Sequence, residues 1–389
     1  MTKFKILYLT FHPEIGGGET ILLSLLTKLD KKIFEPTVVV TKKGQLSKTL
    51  EKLKIQTYIL NLSPYLIRTL FIPGMSPASI FQFFKLAGKI KPDLIHINHL
   101  NLAVYAGIYG KLRKVPIVAT AHGSWDSIYI YQDFISNFLI DKILTNTSAL
   151  KTQLEKKAII KPQKIDVVHF GVDTSKFKPA TTEAKKQAKR KFDFGPNDFV
   201  VTIVGRLDPT KDHLTFLKAA LIVQKKLKNA KFFIVGSEFG NFSTNYDYQN
   251  QINSFLKNHS TLIEKICFGG FIDSMPQVYD ATDILVSTSK KESFGLALAE
   301  GAACGLPIVA TVGGIIVKNN QNGFLVQPQN PKVIAQKILT LAANSKLRKT
   351  FGKNSRKYTI GHLQLQPYIT KIEDVYLSLL SNQLESKRS

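Results

Sequence analysis

The chain has 389 residues, with 53 Lys and Arg against 28 Asp and Glu for a net charge of +25, and is 44% hydrophobic and 10% aromatic. That length predicts two or three domains with enough buried surface to need no disulfides, and the hydrophobic content excludes an intrinsically disordered protein. Its two cysteines, Cys267 and Cys304, form no C-x-x-C pair, which argues against a disulfide-stapled secreted domain and a cysteine-rich zinc site.

The first predicted element is the strand FKILYLT (residues 4–10). It leads into a glycine-rich turn and not a small-residue cleavage site, so it reads as a β-strand and not a signal peptide. Further short β-branched runs follow: EPTVVV, DLIHIN, PIVATAH, KILTN and KIDVVHF, alternating with longer amphipathic segments. The lysine-rich stretch 181–198 reads as an exposed helix and turn. The alternation restarts with FVVTIVG, AKFFIVG, KICFGGF, DILVSTS, LPIVAT and GFLVQP. Strand–helix alternation predicts parallel sheets with right-handed crossovers, and two such series predict an α/β protein of two Rossmann-like domains. The expected division is residues 1–175 and 176–357. A further helix, 358–380, carries Tyr368, Ile372, Val375, Tyr376 and Leu379 at helical spacing and is expected to return to the first domain, with 381–389 as a frayed polar tail.

No stretch spans a membrane. The charge-free runs 69–84, 94–110 and 301–317 each fall short of about 18 residues and contain Pro, Gly or His, so a cytoplasmic protein is expected. The +25 admits a nucleic-acid footprint, attraction to an anionic membrane, or a solvated lysine-rich surface. Only seven of the basic residues are Arg, and the charge divides as +13 over residues 1–180 and +12 over 181–389. With no basic tail or block, nucleic acid is the least favoured partner.

In open parallel sheets, ligands sit beyond the carboxyl ends of the strands. Three segments there are candidates to carry chemistry, against the plainer readings of a tight turn without ligand, a solvated Arg–Lys pair on a surface loop and an acid favoured by a helix dipole. Gly16-Gly17-Gly18-Glu19 follows the first strand and opens a helix, a turn whose N–H groups suit an anion. It matches neither G-x-G-x-x-G nor a P-loop. Gly205-Arg206-Leu207-Asp208 follows VVTIV, with Lys211 five residues beyond Arg206. A planar fork and a mobile point charge together suit a diphosphate. The third segment, KKESFGLALAEGAACGLPIVAT, places Glu292 and Glu300 eight positions apart, with a helix predicted from about Phe294. Glu300 then lies two turns along, about 9–12 Å down the axis. The N–H groups of Phe294, Gly295 and Leu296 are candidates to cradle a phosphate at the helix mouth.

Together these segments resemble the retaining nucleotide-sugar glycosyltransferases of the GT-B fold, glycosyl transferases group 1 or family 4. The resemblance runs nearly end to end and includes TAHGSW, VVHFGVDTSKFKP, GRLDPTKDH, the E-x7-E segment with its Gly-x-Pro continuation, and NGFLVQP. It implies two facing Rossmann-like domains with an acceptor-side first domain and a donor-binding second. It further implies that Arg206 and Lys211 hold the donor diphosphate, Glu292 contacts the donor sugar and Glu300 holds the ribose hydroxyls. Gly17 and Gly18 would press their turn against the donor, and His122 would sit near the reacting sugar. Gly236, Phe271 and Ile272 would border the base. Donor and partner are then a nucleotide sugar (UDP- or GDP-linked) and a glycan or lipid-linked acceptor, in cell-envelope polysaccharide, lipopolysaccharide or glycolipid synthesis. The activity would be of hexosyltransferase type.

No cofactor is expected, and no metal: the chain contains no D-x-D, and His96 and His99 read as lone histidines lining a strand end. Two departures stand out. Val312-Gly313-Gly314 runs straight into Ile315-Ile316-Val317, without the Pro-Glu that usually follows in the family, which puts sugar specificity in doubt. His169 replaces the usual Pro-Asn before the hinge glycine. The aromatic stretch 65–84, followed by Lys85, Lys89 and Lys91, is a candidate for docking on a lipid-linked acceptor or an anionic membrane, here the inner face of the plasma membrane, against the plainer reading of a buried loop and helix. The competing readings are a nucleotide-sugar epimerase on the same fold and a non-catalytic peripheral membrane protein.

Overall fold

The computed structural model describes residues 3–62, 77–123, 137–157, 160–236 and 243–388. Two compact units emerge, residues 1–171 with 365–389, and residues 172–364.

The first unit contains β1 (Phe4–Thr10), α1 (Gly17–Lys28), β2 (Phe34–Val40), α2 (Gln45–Lys52), β3 (Gln56–Ile59), α3 (Pro77–Ile90), β4 (Leu94–Ile97), α4 (Ala103–Arg113), β5 (Ile117–Ala121), β6 (Lys142–Thr145), α5 (Ser148–Lys157) and β7 (Ile165–Val167). The second holds α6 (Thr182–Lys191), β8 (Phe199–Val204), α7 (His213–Lys226), β9 (Ala230–Val235), α8 (Ser243–Lys257), α9 (Ser260–Ile263), β10 (Ile266–Gly270), α10 (Met275–Ala281), β11 (Ile284–Ser287), α11 (Leu296–Ala303), β12 (Ile308–Ala310), β13 (Gly323–Leu325), α12 (Pro331–Ala343) and α13 (Ser345–His362). The last helix, α14 (Leu365–Arg388), belongs to the first unit.

Each sheet is parallel throughout. The strand orders are β3-β2-β1-β4-β5-β6-β7 and β10-β9-β8-β11-β12-β13. The order reverses between β1 and β4, and again between β8 and β11. Those switch points open a crevice beyond the strand ends, where ligands bind in such folds. The central strands are apolar runs because helices cover both faces. In β1, Ile6 through Leu9 are fully buried.

Four features depart from the sequence expectations. The edge strand β3 has no counterpart there, because QTYI pairs on one side only and stays half-exposed, leaving no apolar run to recognise. The stretch predicted as one helix from Tyr358 is broken: α13 ends at His362, and Leu363 accepts a hydrogen bond from Val172 N–H (2.8 Å) before α14 begins. The tail expected to fray continues α14 to Arg388. The helix in 181–198 is not simply exposed. Thr181 caps it, and Lys189 lies buried, donating to Asp198 O (2.5 Å) and facing Asp283 (3.5 Å).

Within the first unit α14 is tied down by Ile369, Ile372, Tyr376 and Leu380, all buried. Each fully buried apolar side chain contributes about 1.5–3 kcal/mol. Tyr376 Oη donates to Tyr8 Oη (3.2 Å) and also bonds His96 Nδ1. His96 Nε2 bonds Thr120 Oγ1 (2.8 Å). Burial pushes the His96 pKa down to about 3, so this ring is a neutral strut of the core and not part of a strand-end site.

Among the described residues no helix is long and apolar enough to cross a membrane. Of the aromatic stretch 65–84, residues 65–76 lie outside the described residues. The remainder is α3, which buries Phe83 and presents Phe81 at 71% exposure.

Candidate active site

In the second unit the site is built from the ends of four strands. After β8 the chain turns through Gly205–Asp212, and Asp208 organises that turn. Its Oδ1 accepts from Thr210 N–H (2.8 Å), Lys211 N–H (3.2 Å) and the Thr210 hydroxyl, and its Oδ2 accepts from Arg206 Nε (3.1 Å). From the end of β11, Thr288 Oγ1 donates to the carbonyls of Lys211 and Asp212, both at 2.9 Å. This pinned backbone aims Lys211 at the next loop, where its Nζ donates to Glu292 Oε2 at 2.6 Å. Ser289 Oγ donates to the same oxygen (3.3 Å). Arg206 stays 44% exposed beside them. Two cations and two carboxylates, Asp208 and Glu292, therefore share one strand-end corner.

The next two strand ends converge through glycine. Gly236 follows β9 at φ +137, and a Cβ there would lie 2.0 Å from Gly205 O, so only glycine lets the two strand ends touch. Its N–H donates to Gly270 O (2.8 Å), which closes on β10. Phe271 stands exposed just beyond, with Ile272 half-buried. Gly236, Phe271 and Ile272 thus form one rim beside the charged corner.

The predicted helix after Glu292 starts two residues later than expected. Gly295 caps α11 in a left-handed conformation, and the ladder begins with Ala299 N–H donating to Gly295 O (2.9 Å). Gly295 and Leu296 therefore keep their N–H groups outside the ladder. Phe294 precedes the cap, outside the first turn, with its ring buried. The shortened Gly313–Val317 loop packs here too: a side chain on Gly314 would sit 2.8 Å from Phe294 O.

Glu300 lies one to two turns into α11 and is only 7% exposed. Tyr279 Oη donates to its Oε2 at 2.7 Å. Burial pushes its pKa up to about 7, against the pull of the Tyr279 hydroxyl and the Lys176 charge.

In the first unit the strand ends of β1, β4 and β5 meet α1. Gly18 presses against His122: a Cβ there would lie 3.1 Å from His122 Cε1. Around Gly17 that position is open, so Gly17 leaves space where Gly18 makes contact. His122 Nε2 lies 3.1 Å from Asn98 Oδ1, and its carbonyl accepts from Asn146 Nδ2 (3.1 Å). His169 Nδ1 bonds the Asn146 carbonyl (2.8 Å), so this substitution holds the strand end that carries Asn146.

His99 is not the lone histidine that the sequence suggested. Its Nε2 lies 3.3 Å from Glu19 Oε1, and its ring packs against His12 (4.9 Å) and His122 (5.3 Å). Among the described residues no group of three or more His, Cys, Asp or Glu side chains is placed to hold a metal ion.

Sequence reasoning left Asp208, Thr288, Ser289, Tyr279, His12, Asn98 and His99 without a role, and quoted Glu19 without assigning one. Glu19 did carry a readable signal, since an acid three residues past a helix cap reaches back to the cap N–H.

Two family models match in sequence. Glycosyltransferase Family 4 covers residues 15–176, and Glycosyl transferases group 1 covers residues 184–358. The chain is 26% identical to the Escherichia coli UDP-Gal:alpha-D-GlcNAc-diphosphoundecaprenol alpha-1,3-galactosyltransferase over 98% of this chain and 99% of that one. Its fold matches that of Anabaena HepE, solved with UDP and glucose, at a TM-score of 0.83 and 20% identity, over 96% of this chain and all of the other. A glycosyltransferase of Rickettsia africae matches at 0.81 and 23% identity, over 98% and 100%.

Proposed function

The chain belongs to the glycosyltransferases of group 1 and family 4, and on that premise we propose that it moves a hexose from a UDP-sugar to a lipid-linked glycan acceptor, retaining the anomeric configuration and needing no metal. The observation that carries this reading is the corner where Lys211 meets Glu292 at 2.6 Å with Arg206 on the same turn. A diphosphate needs cations, and a sugar needs a carboxylate for its hydroxyls. Here the two lie side by side.

The bond that breaks joins the anomeric carbon to the β-phosphate oxygen. Negative charge grows on that oxygen as it leaves, and the Arg206 fork with the Lys211 ammonium offsets it without reorganising. Glu292 holds sugar hydroxyls, and Glu300 accepts from the ribose. The rim of Gly236, Phe271 and Ile272 takes the base, and the N–H groups of Gly295 and Leu296 add donors for phosphate. In the first unit, His122 and the Gly17–Gly18 turn are assigned to the sugar. The acceptor hydroxyl attacks from the face that the diphosphate leaves: its oxygen bonds the anomeric carbon as the bond to the β-phosphate oxygen breaks, and its proton passes to that departing oxygen, which yields retention.

UDP is favoured over GDP by the name of the E. coli relative, whose acceptor is a sugar on diphosphoundecaprenol. A lipid-linked acceptor supports a role in envelope glycan synthesis at the cytoplasmic face of a membrane. The stripe on α3 supports peripheral attachment there: Phe81 is followed by Lys85 and Lys89 at four-residue spacing, all exposed.

The test is a panel of UDP- and GDP-sugars scored by thermal stabilisation and by transfer to a polyprenyl-diphosphate-linked sugar. A donor at 100 times its Kd stabilises by about 2.7 kcal/mol. One UDP-hexose should stabilise and turn over, its product should keep the donor's anomeric configuration by NMR, and EDTA should leave the rate unchanged. An inverted product would remove retention, and a rate lost to EDTA and restored by Mg²⁺ would remove metal independence. An epimerised donor without any acceptor would replace transfer with isomerisation.

A further inference from the structure

Glu19 is an ionisable group sunk where the fold could have used an apolar one. It sits in the first turn of α1 with 2% exposure. Its Oε2 accepts from Gly16 N–H (3.2 Å), and its Oε1 faces Thr10 Oγ1 (3.5 Å) and His99 Nε2 (3.3 Å). One carboxylate thus ties the end of β1, the glycine turn and His99, two residues beyond β4. Two of those partners, His99 and the glycine turn, lead to His122. His99 packs on the His122 ring, Asn98 beside it bonds His122 Nε2, and a Cβ on Gly18 in the pinned turn would meet the ring at 3.1 Å.

We propose that Glu19 is a positioning residue of the transfer reaction, which through His99 and the Gly16–Gly18 turn seats the imidazole of His122. This rests on the assignment of His122 to the reacting sugar. A buried carboxylate without partners would be costly. Burial does push this one towards the neutral form, but the His99 bond and the neighbouring His99, His12 and His122 outweigh it and bring the pKa down to about 2. Its charge is therefore constant at working pH. The groups that face it are His99 after β4, His12 after β1, His122 after β5, the Thr10 hydroxyl and the Gly16 N–H. A neutral amide of the same shape could keep the turn but would lose the charge that holds the rings.

The experiment is a double-mutant cycle on turnover with UDP-sugar donor, using Glu19→Gln and His122→Ala alone and together. Thermal midpoints and UDP affinity by calorimetry are read on every variant. Glu19→Gln should lower kcat about 10- to 100-fold, the scale of a misplaced reacting group. Its UDP affinity should stay within about threefold. In the His122→Ala background the same change should add almost nothing, because the two act as a unit. A part of the loss restored by Glu19→Asp would further support the role. A wild-type kcat in Glu19→Gln, or a loss that multiplies with that of His122→Ala, overturns the proposal. A wild-type rate in His122→Ala alone instead removes the assignment of His122 to the sugar.

Discussion

Glu19 and Glu300 are both buried glutamates set in early turns of helices that follow a strand end, one in each unit. Glu19 is held down to about 2 and Glu300 is pushed up to about 7. Burial favours the neutral acid in both. The difference lies in what surrounds them: Glu19 has a backbone N–H, a threonine hydroxyl and three histidine rings, while Glu300 has one tyrosine hydroxyl and a more distant lysine charge. The number and charge of partners decides the state of a buried acid. A carboxylate saturated by its own fold has no capacity left for a ligand and acts through its neighbours. A carboxylate with one internal partner keeps lone pairs for an incoming hydroxyl. By that criterion the two proposed roles divide, positioning for Glu19 and binding for Glu300.

The largest break in this comparison comes from the exposed charges of the second unit. Arg206→Ala removes a preorganised cation and should cost about 2.7–4 kcal/mol of barrier, a 10²- to 10³-fold drop in kcat. Stability should barely move, since Arg206 is 44% exposed and an ion pair held by such a side chain contributes about 0–1 kcal/mol. Glu19→Gln should show the reverse balance, with a smaller rate loss and a pH-dependent loss of stability. Steady-state kinetics and urea melts on both variants check this, and a stability loss in Arg206→Ala would erase the contrast.

The two pKa displacements give stability opposite dependence on pH. Each is worth about 3 kcal/mol at about 1.4 kcal/mol per pH unit. Glu19 has a folded pKa below its unfolded value of 4.5, so its contribution is complete above pH 4.5 and is lost as pH falls from there towards about 2. Glu300 has a folded pKa above 4.5, so the folded state holds the extra proton, and stability falls as pH rises from 4.5 to about 7. Relative to wild type, Glu300→Gln should therefore gain stability across that window, while Glu19→Gln should lose least near pH 2–3. Urea unfolding of the three proteins from pH 3 to 8 reads this directly. Parallel curves for wild type and Glu300→Gln would remove the asymmetry.

The same contrast sets how much could be read in advance. The charged corner of the second unit is written in two linear segments, GRLDPTK and KKESFGLALAE, which the family resemblance picks out together although neither segment settles the matter by its own spacing. The Glu19 cluster draws residues from after β1, β4 and β5, with Glu19 and His99 80 positions apart, and no local pattern encodes such a meeting. Fold class followed the same logic. Buried central strands were visible as β-branched runs, but edge strand β3 was not. The start of α11 moved from Phe294 to Leu296 because a glycine in left-handed conformation terminates the loop, a conformation the apolar pattern does not report. Tyr279 stayed hidden for a related reason: it is an unremarkable core aromatic until the fold brings its hydroxyl to Glu300.

Tyr279 offers the finest test of the comparison. Tyr279→Phe keeps the ring, which packs edge-on against Phe177 at 5.9 Å, and removes only the hydroxyl that donates to Glu300 Oε2. That hydroxyl lowers the Glu300 pKa, so its loss raises the value above about 7 and leaves less carboxylate at pH 7.5. UDP should then bind more weakly at pH 7.5 by about 1 kcal/mol, the net worth of one hydrogen bond, or about fivefold in Kd. At pH 9 Glu300 is ionised in both proteins and the gap should close. Calorimetric titration of UDP at the two pH values decides it. A gap that persists at pH 9 would mean that Tyr279 orients Glu300 and does not tune its charge, and no gap at either pH would reduce Tyr279 to packing.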